Sequence, residues 1–278
     1  MDVDGVRLHY IDRGAGEVLV MLHGNGSMIQ DFESSGLVGM AARDHRVIVF
    51  DRPGYGHSGR PRNVVWTAAA QADLLHKALR RLGIDRAVVL GHSWGCSVAV
   101  ALAERHPGMV AGLVLGSGYY YPTARVDVVG MSAPAVPVLG DLVRYTIAPN
   151  LSRAIWPLLL RKIFGPRKTP AKFAGFPREM AVRPSQIRAS AAESGLMIPD
   201  ALAAQGTYAR LSMPVGIIAG EDDRLVDIDS QSARLHKAVP HSSFRRLAGE
   251  GHMIHQTATG AVMSMIESVS RQAGAAAE

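Results

Sequence analysis

Short β-branched runs, each followed by a stretch of helical character, restrict this chain more than any other feature. Val18 to Leu22, Arg46 to Phe50, Ala87 to Leu90 and Gly112 to Leu115 read as strands. Ala68 to Leu82 places Leu74, Leu75, Ala78, Leu79 and Leu82 at helical spacing and stops at Gly83, a natural C-terminal cap. Val98 to Arg105 does the same before Pro107. Strands that alternate with helices in this way pair in parallel and bury both sheet faces, so the predicted class is α/β with a mostly parallel central sheet flanked by helices. With 278 residues, 47% of them apolar and 19% charged, the chain can bury a substantial core, and a largely disordered chain is excluded.

The texture changes between Pro122 and Tyr208, where prolines interrupt short apolar segments such as Ile155 to Leu160 and no buried strand pattern is visible. Pro214 to Ala219 and Phe244 to Leu247 then return to strand character, and Thr259 to Ser270 to a terminal helix. The expected organisation is a core of residues 1–121 and 209–278 carrying a helical cap over residues 122–208. The net charge of +6 resides in this insertion, which holds eleven Lys and Arg against five Asp and Glu. Its positive residues, among them Arg125, Arg144, Arg153, Arg161, Lys162, Arg167, Lys168, Lys172 and Arg178, are interspersed with apolar ones and are expected to form a solvated outer face. No nucleic-acid-binding motif accompanies them.

The strongest local motif is Gly91-His92-Ser93-Trp94-Gly95, between a strand and a helix. A nucleophile on so sharp a turn adopts a strained backbone conformation, and glycines two residues to either side remove side chains that would clash. The helix N-terminus behind it favours the oxyanion formed during attack. A serine hydroxyl needs a base to take its proton, and the base needs an orienting acid. Gly249-Glu250-Gly251-His252 follows the strand Phe244 to Leu247 and supplies His252, with His255 as the competing histidine. Gly220-Glu221-Asp222-Asp223 follows the strand ending at Ala219 and supplies Asp223, with Asp222 as its competitor; Asp227 and Asp229 suit the surface or a helix cap. His23-Gly24-Asn25-Gly26 follows the first of these strands, and the backbone N–H groups of Asn25 and Trp94 are the expected oxyanion hole, with His23 a hydrogen-bonder within the turn.

Together with Asp51-Arg52-Pro53-Gly54-Tyr55-Gly56-His57-Ser58, these motifs resemble the α/β-hydrolase superfamily across nearly the whole chain, and most of all its bacterial serine esterases and cofactor-free haloperoxidase-like members. The resemblance implies an α/β-hydrolase fold in which the insertion is a helical cap over the active site. Ser93 occupies the place of the aspartate nucleophile of related dehalogenases and epoxide hydrolases, which argues against those reactions, and Asp227 stands where many members have proline. The expected activity is hydrolysis of carboxylic esters, with short- or medium-chain esters ahead of lactones, lysolipids or aliphatic polyesters. Acyl transfer or perhydrolysis would use the same residues, and a ligand-binding receptor on the same scaffold is the rival from another class. Met131, Val136, Leu139, Ile155, Trp156, Leu158, Leu159, Ile163, Phe164 and Phe173 are expected to give the cap a hydrophobic pocket lining.

Other features have bland readings. Gly54 to Gly59 spells G-x-G-x-x-G, but Arg60-Pro61-Arg62-Asn63 follows where a nucleotide site needs a helix to open, so the glycines are expected to serve a turn anchored by Asp51. Cys96, the lone cysteine, reads as a packing residue and removes any dependence on an oxidising compartment. The eleven histidines include no pair at metal-ligand spacing with supporting carboxylates, so neither metal nor cofactor is assigned. Tyr119, Tyr120 and Tyr121 either line the pocket or pack. Met1 to Asp12 lacks the pattern of a secretory signal and no run of about eighteen apolar residues suggests a membrane span, so a cytoplasmic location is expected. The sequence leaves the oligomeric state open.

Overall fold

The computed structural model describes residues 1–123, 133–136 and 138–276. A two-stranded ribbon, β1 (Asp2–Val3) and β2 (Val6–Arg7), precedes a seven-stranded sheet in the order β3-β5-β4-β6-β7-β8-β9. These strands are β3 (Tyr10–Arg13), β4 (Glu17–Leu22), β5 (His45–Phe50), β6 (Ala87–His92), β7 (Val110–Gly116), β8 (Val215–Gly220) and β9 (Ser243–Leu247). All neighbours pair in parallel except β3, which runs antiparallel to β5 along the edge. Every strand expected from the sequence is present within two residues of its expected limits. β3 was not expected, because its Tyr-Ile-Asp-Arg sequence is half exposed and carries no apolar alternation.

Helices cover both faces. α1 (Ile29–Ser35), α2 (Leu37–Ala41), α3 (Ala68–Arg81) and α4 (Trp94–Arg105) precede β7. α5 (Leu139–Thr146), α6 (Ala148–Phe164), α7 (Arg178–Ala181) and α8 (Pro184–Ala204) lie between β7 and β8. α9 (Arg234–Ala238) joins β8 to β9, and α10 (Ile254–Thr257) and α11 (Thr259–Ala275) close the chain. Thr67 caps α3 by accepting from the Ala70 N–H at 3.1 Å, an interaction worth about 1 kcal/mol. On one face Leu74, Leu75, Leu79, Val98 and Leu102 pack against Val20, Val89 and Leu115; on the other Phe32, Val38, Val262 and Ile266 pack against Met21, Val49 and Leu90. Burial on both faces is why β4 to β8 read as nearly continuous apolar runs. A third cluster, Met28, Phe164, Phe173, Phe176 and Met253, fastens the helices between β7 and β8 onto the loops at the C-terminal ends of the strands. No described helix is long and apolar enough to cross a membrane.

Candidate active site

Five loops at the C-terminal edge of the sheet, those after β4, β6, β7, β8 and β9, meet at one cavity of about 260 Å³, bordered by Gly24, Asn25, Ser93, Trp94 and His252 and roofed by the inserted helices. Ser93 turns the chain from β6 into α4 with φ 53 and ψ −121, a conformation that residues bearing a Cβ rarely adopt. The flanking glycines make it possible. A Cβ on Gly91 would collide with the backbone of Gly95 and Cys96, and one on Gly95 with the carbonyls of Leu22 and His23. The Ser93 side chain forms no capping bond to α4; Cys96 N–H instead donates to the Ser93 carbonyl at 2.9 Å. The helix begins at Trp94, four residues before the helical pattern read from Val98, so the Trp94 N–H belongs to the first turn, where no intrahelical partner exists.

His252 follows β9 and Asp223 follows β8, as their motifs require. Both side chains are buried, and His252 Nδ1 lies 2.7 Å from Asp223 Oδ2. The other Asp223 oxygen accepts from the N–H groups of Leu225 and Val226 at 2.8 and 3.0 Å, so the carboxylate is held from both sides. Asp222 is exposed. Asp227 accepts from Ser230 N–H and Asp229 pairs with Arg246, consistent with surface roles. His255 belongs to α10, with Nε2 3.0 Å from Asp31 Oδ1.

The Gly24-Asn25 turn lies directly against the elbow: a methyl on Gly24 would stand 3.0 Å from Ser93 Cβ. His23 Nδ1–H donates to the Gly24 carbonyl at 2.8 Å, while Nε2 accepts from Arg52 N–H at 3.0 Å, which fixes its tautomer. Burial, together with the Arg52 charge, pushes the His23 pKa down to about 4. Asp51 anchors the glycine-rich turn by accepting from Ile29 and His57 N–H groups, and its carboxylate fills the space a side chain on Gly56 would need.

Sequence reasoning missed two buried polar networks. In the first, Arg52 grips Glu193 of α8 through Nη1 to Oε1 at 2.5 Å and Nη2 to Oε2 at 3.0 Å, both side chains being fully buried. Arg52 also donates to the carbonyls of His23 and Gly24, and Gln71 Nε2 donates to Glu193 at 2.9 Å. Burial by itself would raise the Glu193 carboxyl, but Arg52, aided by Arg60 and Tyr55, outweighs it and holds the pKa below the usual range. The Tyr55 hydroxyl lies 2.7 Å from Glu193 and 2.9 Å from Asn25 Oδ1, and Asn25 Nδ2 donates to Ser190 and Ser194 of α8. The turn beside Ser93 is therefore tied to the inserted helices by side chains that no local periodicity announces.

The second network lies beneath the elbow. His92 Nε2–H donates to the His252 carbonyl at 3.0 Å, and the His92 ring stands 4.3 Å from that of His255. Among the described residues, Asp31, His92 and His255 form the one cluster whose donor atoms, within 4.8 Å of one another, are close enough to share a cation. Asp31 is already engaged by Ser27 and Gln256. Positions 92 and 255 are too distant in sequence for a spacing argument to have connected them.

The apolar lining departs in part from expectation. Trp156, Leu159, Ile163 and Phe173 border the cavity, joined by Phe176, Met197, Leu225, Val226 and Met253. Phe164 is instead buried in the third core cluster, and Val136, Ile155 and Leu158 are exposed. Because α6 carries apolar residues all around, periodicity did not separate its inner from its outer face. Arg125, Met131 and the side chain of Leu139 lie outside the described residues. Tyr119 borders the cavity, whereas Tyr120 and Tyr121 pack in the core with their N–H groups on Gln231. Cys96 is buried, and its thiol pKa is pushed up to about 12 by burial.

A strained serine at the end of a parallel strand, with a histidine–aspartate pair carried by the last two strands, defines a hydrolase of the α/β type. The model of the alpha/beta hydrolase fold family matches residues 17–259, and the chain belongs to that family. It is 26% identical over 270 residues to a putative non-heme chloroperoxidase of Synechocystis, covering 91% of this chain and 90% of that protein. Identity with haloalkane dehalogenase 2 of Mycobacterium tuberculosis is 28% over 225 residues, covering 79% and 73%. A thermophilic esterase from Thermogutta terrifontis superposes with a TM-score of 0.77 at 23% identity, covering 96% of this chain and 94% of that one.

Proposed function

We propose that Ser93, His252 and Asp223 form a catalytic triad that hydrolyses carboxylic esters through an acyl-enzyme. The observation that carries this reading is the 2.7 Å contact between His252 Nδ1 and Asp223 Oδ2 on the border of the cavity that also contains the strained Ser93. With Asp223 as acceptor, the proton sits on Nδ1 and the Nε2 lone pair is left to act as base. Nε2 takes the Ser93 proton as Oγ attacks the ester carbonyl, then returns it to the departing alcohol. Water, deprotonated by the same nitrogen, releases the acid and restores the serine. The Asn25 and Trp94 N–H groups receive the oxyanion, each worth on the order of 3 kcal/mol in the transition state.

Residues 122–208 serve as the cap over residues 1–121 and 209–278, anchored by Glu193 and by the Phe164 cluster. The mostly apolar lining favours short- to medium-chain acyl or alcohol groups over strongly charged ones. A serine at the elbow argues against the alkyl-enzyme chemistry of an aspartate nucleophile, despite the dehalogenase relative. A p-nitrophenyl ester series of increasing acyl length tests this function: turnover should peak at short or medium chains and vanish in Ser93→Ala, and turnover that survives that change would refute it.

A further inference from the structure

The basic residues of the inserted segment do not all form the dispersed, solvated face that their sequence positions suggest. Arg144 of α5, with Arg183 and Arg188 at the start of α8, converges with Arg7, Arg60 and Arg62 on a single cavity of about 400 Å³. Gly54, His57, Ser58 and Gly59 form part of its wall, and it shares no lining residue with the Ser93 cavity.

Among the described residues, the carboxylates nearby do not balance these charges. Asp141 pairs with Arg62 and Arg144 at one side. Glu193 stands 3.8 Å from Arg60 but is already gripped by Arg52, Gln71 and Tyr55, and Asp51 is spent on the backbone of the glycine-rich turn and on His9. Arg188 makes no ion pair among the described residues. Arg144 has 2% of its side chain exposed, yet its Nε–H has no partner; the Nε–H of Arg183 is likewise buried and unpartnered. Ser185, in the first turn of the 21-residue α8, adds the positive end of that helix to the same wall. Like charges gathered with unsatisfied donors are unfavourable until an anion joins them, and the guanidinium fork suits the paired oxygens of phosphate and carboxylate.

We propose that this cavity binds a small polyanion, of the class of diphosphates and polycarboxylates, at the seam between the glycine-rich turn and helices α5 and α8. The bound anion would bridge the inserted helices and the core. The proposal does not depend on how Ser93 reacts, so either reading can fail without the other.

Calorimetric titration of the full chain with pyrophosphate, and separately with citrate at matched ionic strength, tests it. One-site saturable binding is expected for at least one probe, and the tighter of the two identifies the chemistry of the charged groups. In Arg7→Gln/Arg188→Gln, which removes two guanidinium groups without breaking a described ion pair, affinity should fall by about 100-fold, roughly tenfold for each lost fork. Arg161→Gln/Lys168→Gln, elsewhere on the inserted segment, should leave affinity unchanged. The tighter probe should also raise the melting temperature of the unaltered chain, where sodium chloride of equal ionic strength does not. Absence of saturable binding by both probes, equal weakening in the Arg161/Lys168 variant, or undiminished binding in the Arg7/Arg188 variant would overturn the proposal.

Discussion

His252 and Asp223 are joined through Nδ1 and Oδ2 at 2.7 Å, and the remaining Asp223 oxygen is held by two backbone N–H groups. Asp223→Asn keeps the shape but offers an amide where the proton on Nδ1 needs an acceptor, so the imidazole is left in the wrong tautomer. Ester turnover should fall by about three to four orders of magnitude, whereas Asp222→Asn, at an exposed position, should remain within about twofold of the unaltered chain. Equal or reversed losses in kcat/KM would reject Asp223 as the acid.

Glu193 is the only carboxylate that bonds the fully buried Arg52 among the described residues. Removing one partner strands the other charge in a dry site, so Glu193→Ala should destabilise the fold by about 3–5 kcal/mol, read from urea midpoints. The double change Arg52→Met/Glu193→Leu should recover only part of that loss, since it removes the stranded charge but leaves the His23 and Gly24 carbonyls, Gln71 and Tyr55 without these partners. A Glu193→Ala midpoint close to that of the unaltered chain would show that the pair does not hold the insertion.

Stability should decline on mild acidification because of His23. Its folded pKa is near 4, below the ordinary 6.5, so between these values the unfolded chain binds the extra proton. The stabilisation is complete above pH 6.5 and is lost as pH falls through 4, amounting to about 3 kcal/mol. His92, which burial and its histidine neighbours also keep neutral, acts in the same direction. Denaturant midpoints at pH 7 and pH 4.5 check this, and a flat profile would contradict it.

Burial raises the Cys96 thiol to about 12, so almost no thiolate exists at neutral pH. Iodoacetamide should leave the folded chain unlabelled over hours and label it promptly in urea. Prompt labelling of the native chain would show that the elbow helix opens.

The strands and the Ser93 elbow were legible because each depends on local pattern: β-branched runs buried on both faces, and glycines where a side chain would collide. The Ser93, Asp223 and His252 motifs were legible for the same reason, each lying at the end of a recognisable strand. Edge strand β3 was not, since its half-exposed side chains leave no apolar alternation. The Arg52–Glu193 pair spans 141 positions, and the gathering of Arg7, Arg62 and Arg188 depends on how α8 lies across the glycine-rich turn. Both are products of tertiary packing, which periodicity does not encode. The inner and outer faces of α6 were indistinguishable for the opposite reason, an excess of apolar residues over one helix face.

The most direct test of the account is covalent. Incubation of the folded chain with a fluorophosphonate should yield a single adduct by intact mass, mapped to Ser93 and absent from Ser93→Ala, with labelling greatly slowed in His252→Ala. Failure of the native chain to react, or an adduct that persists without the serine hydroxyl, would contradict it.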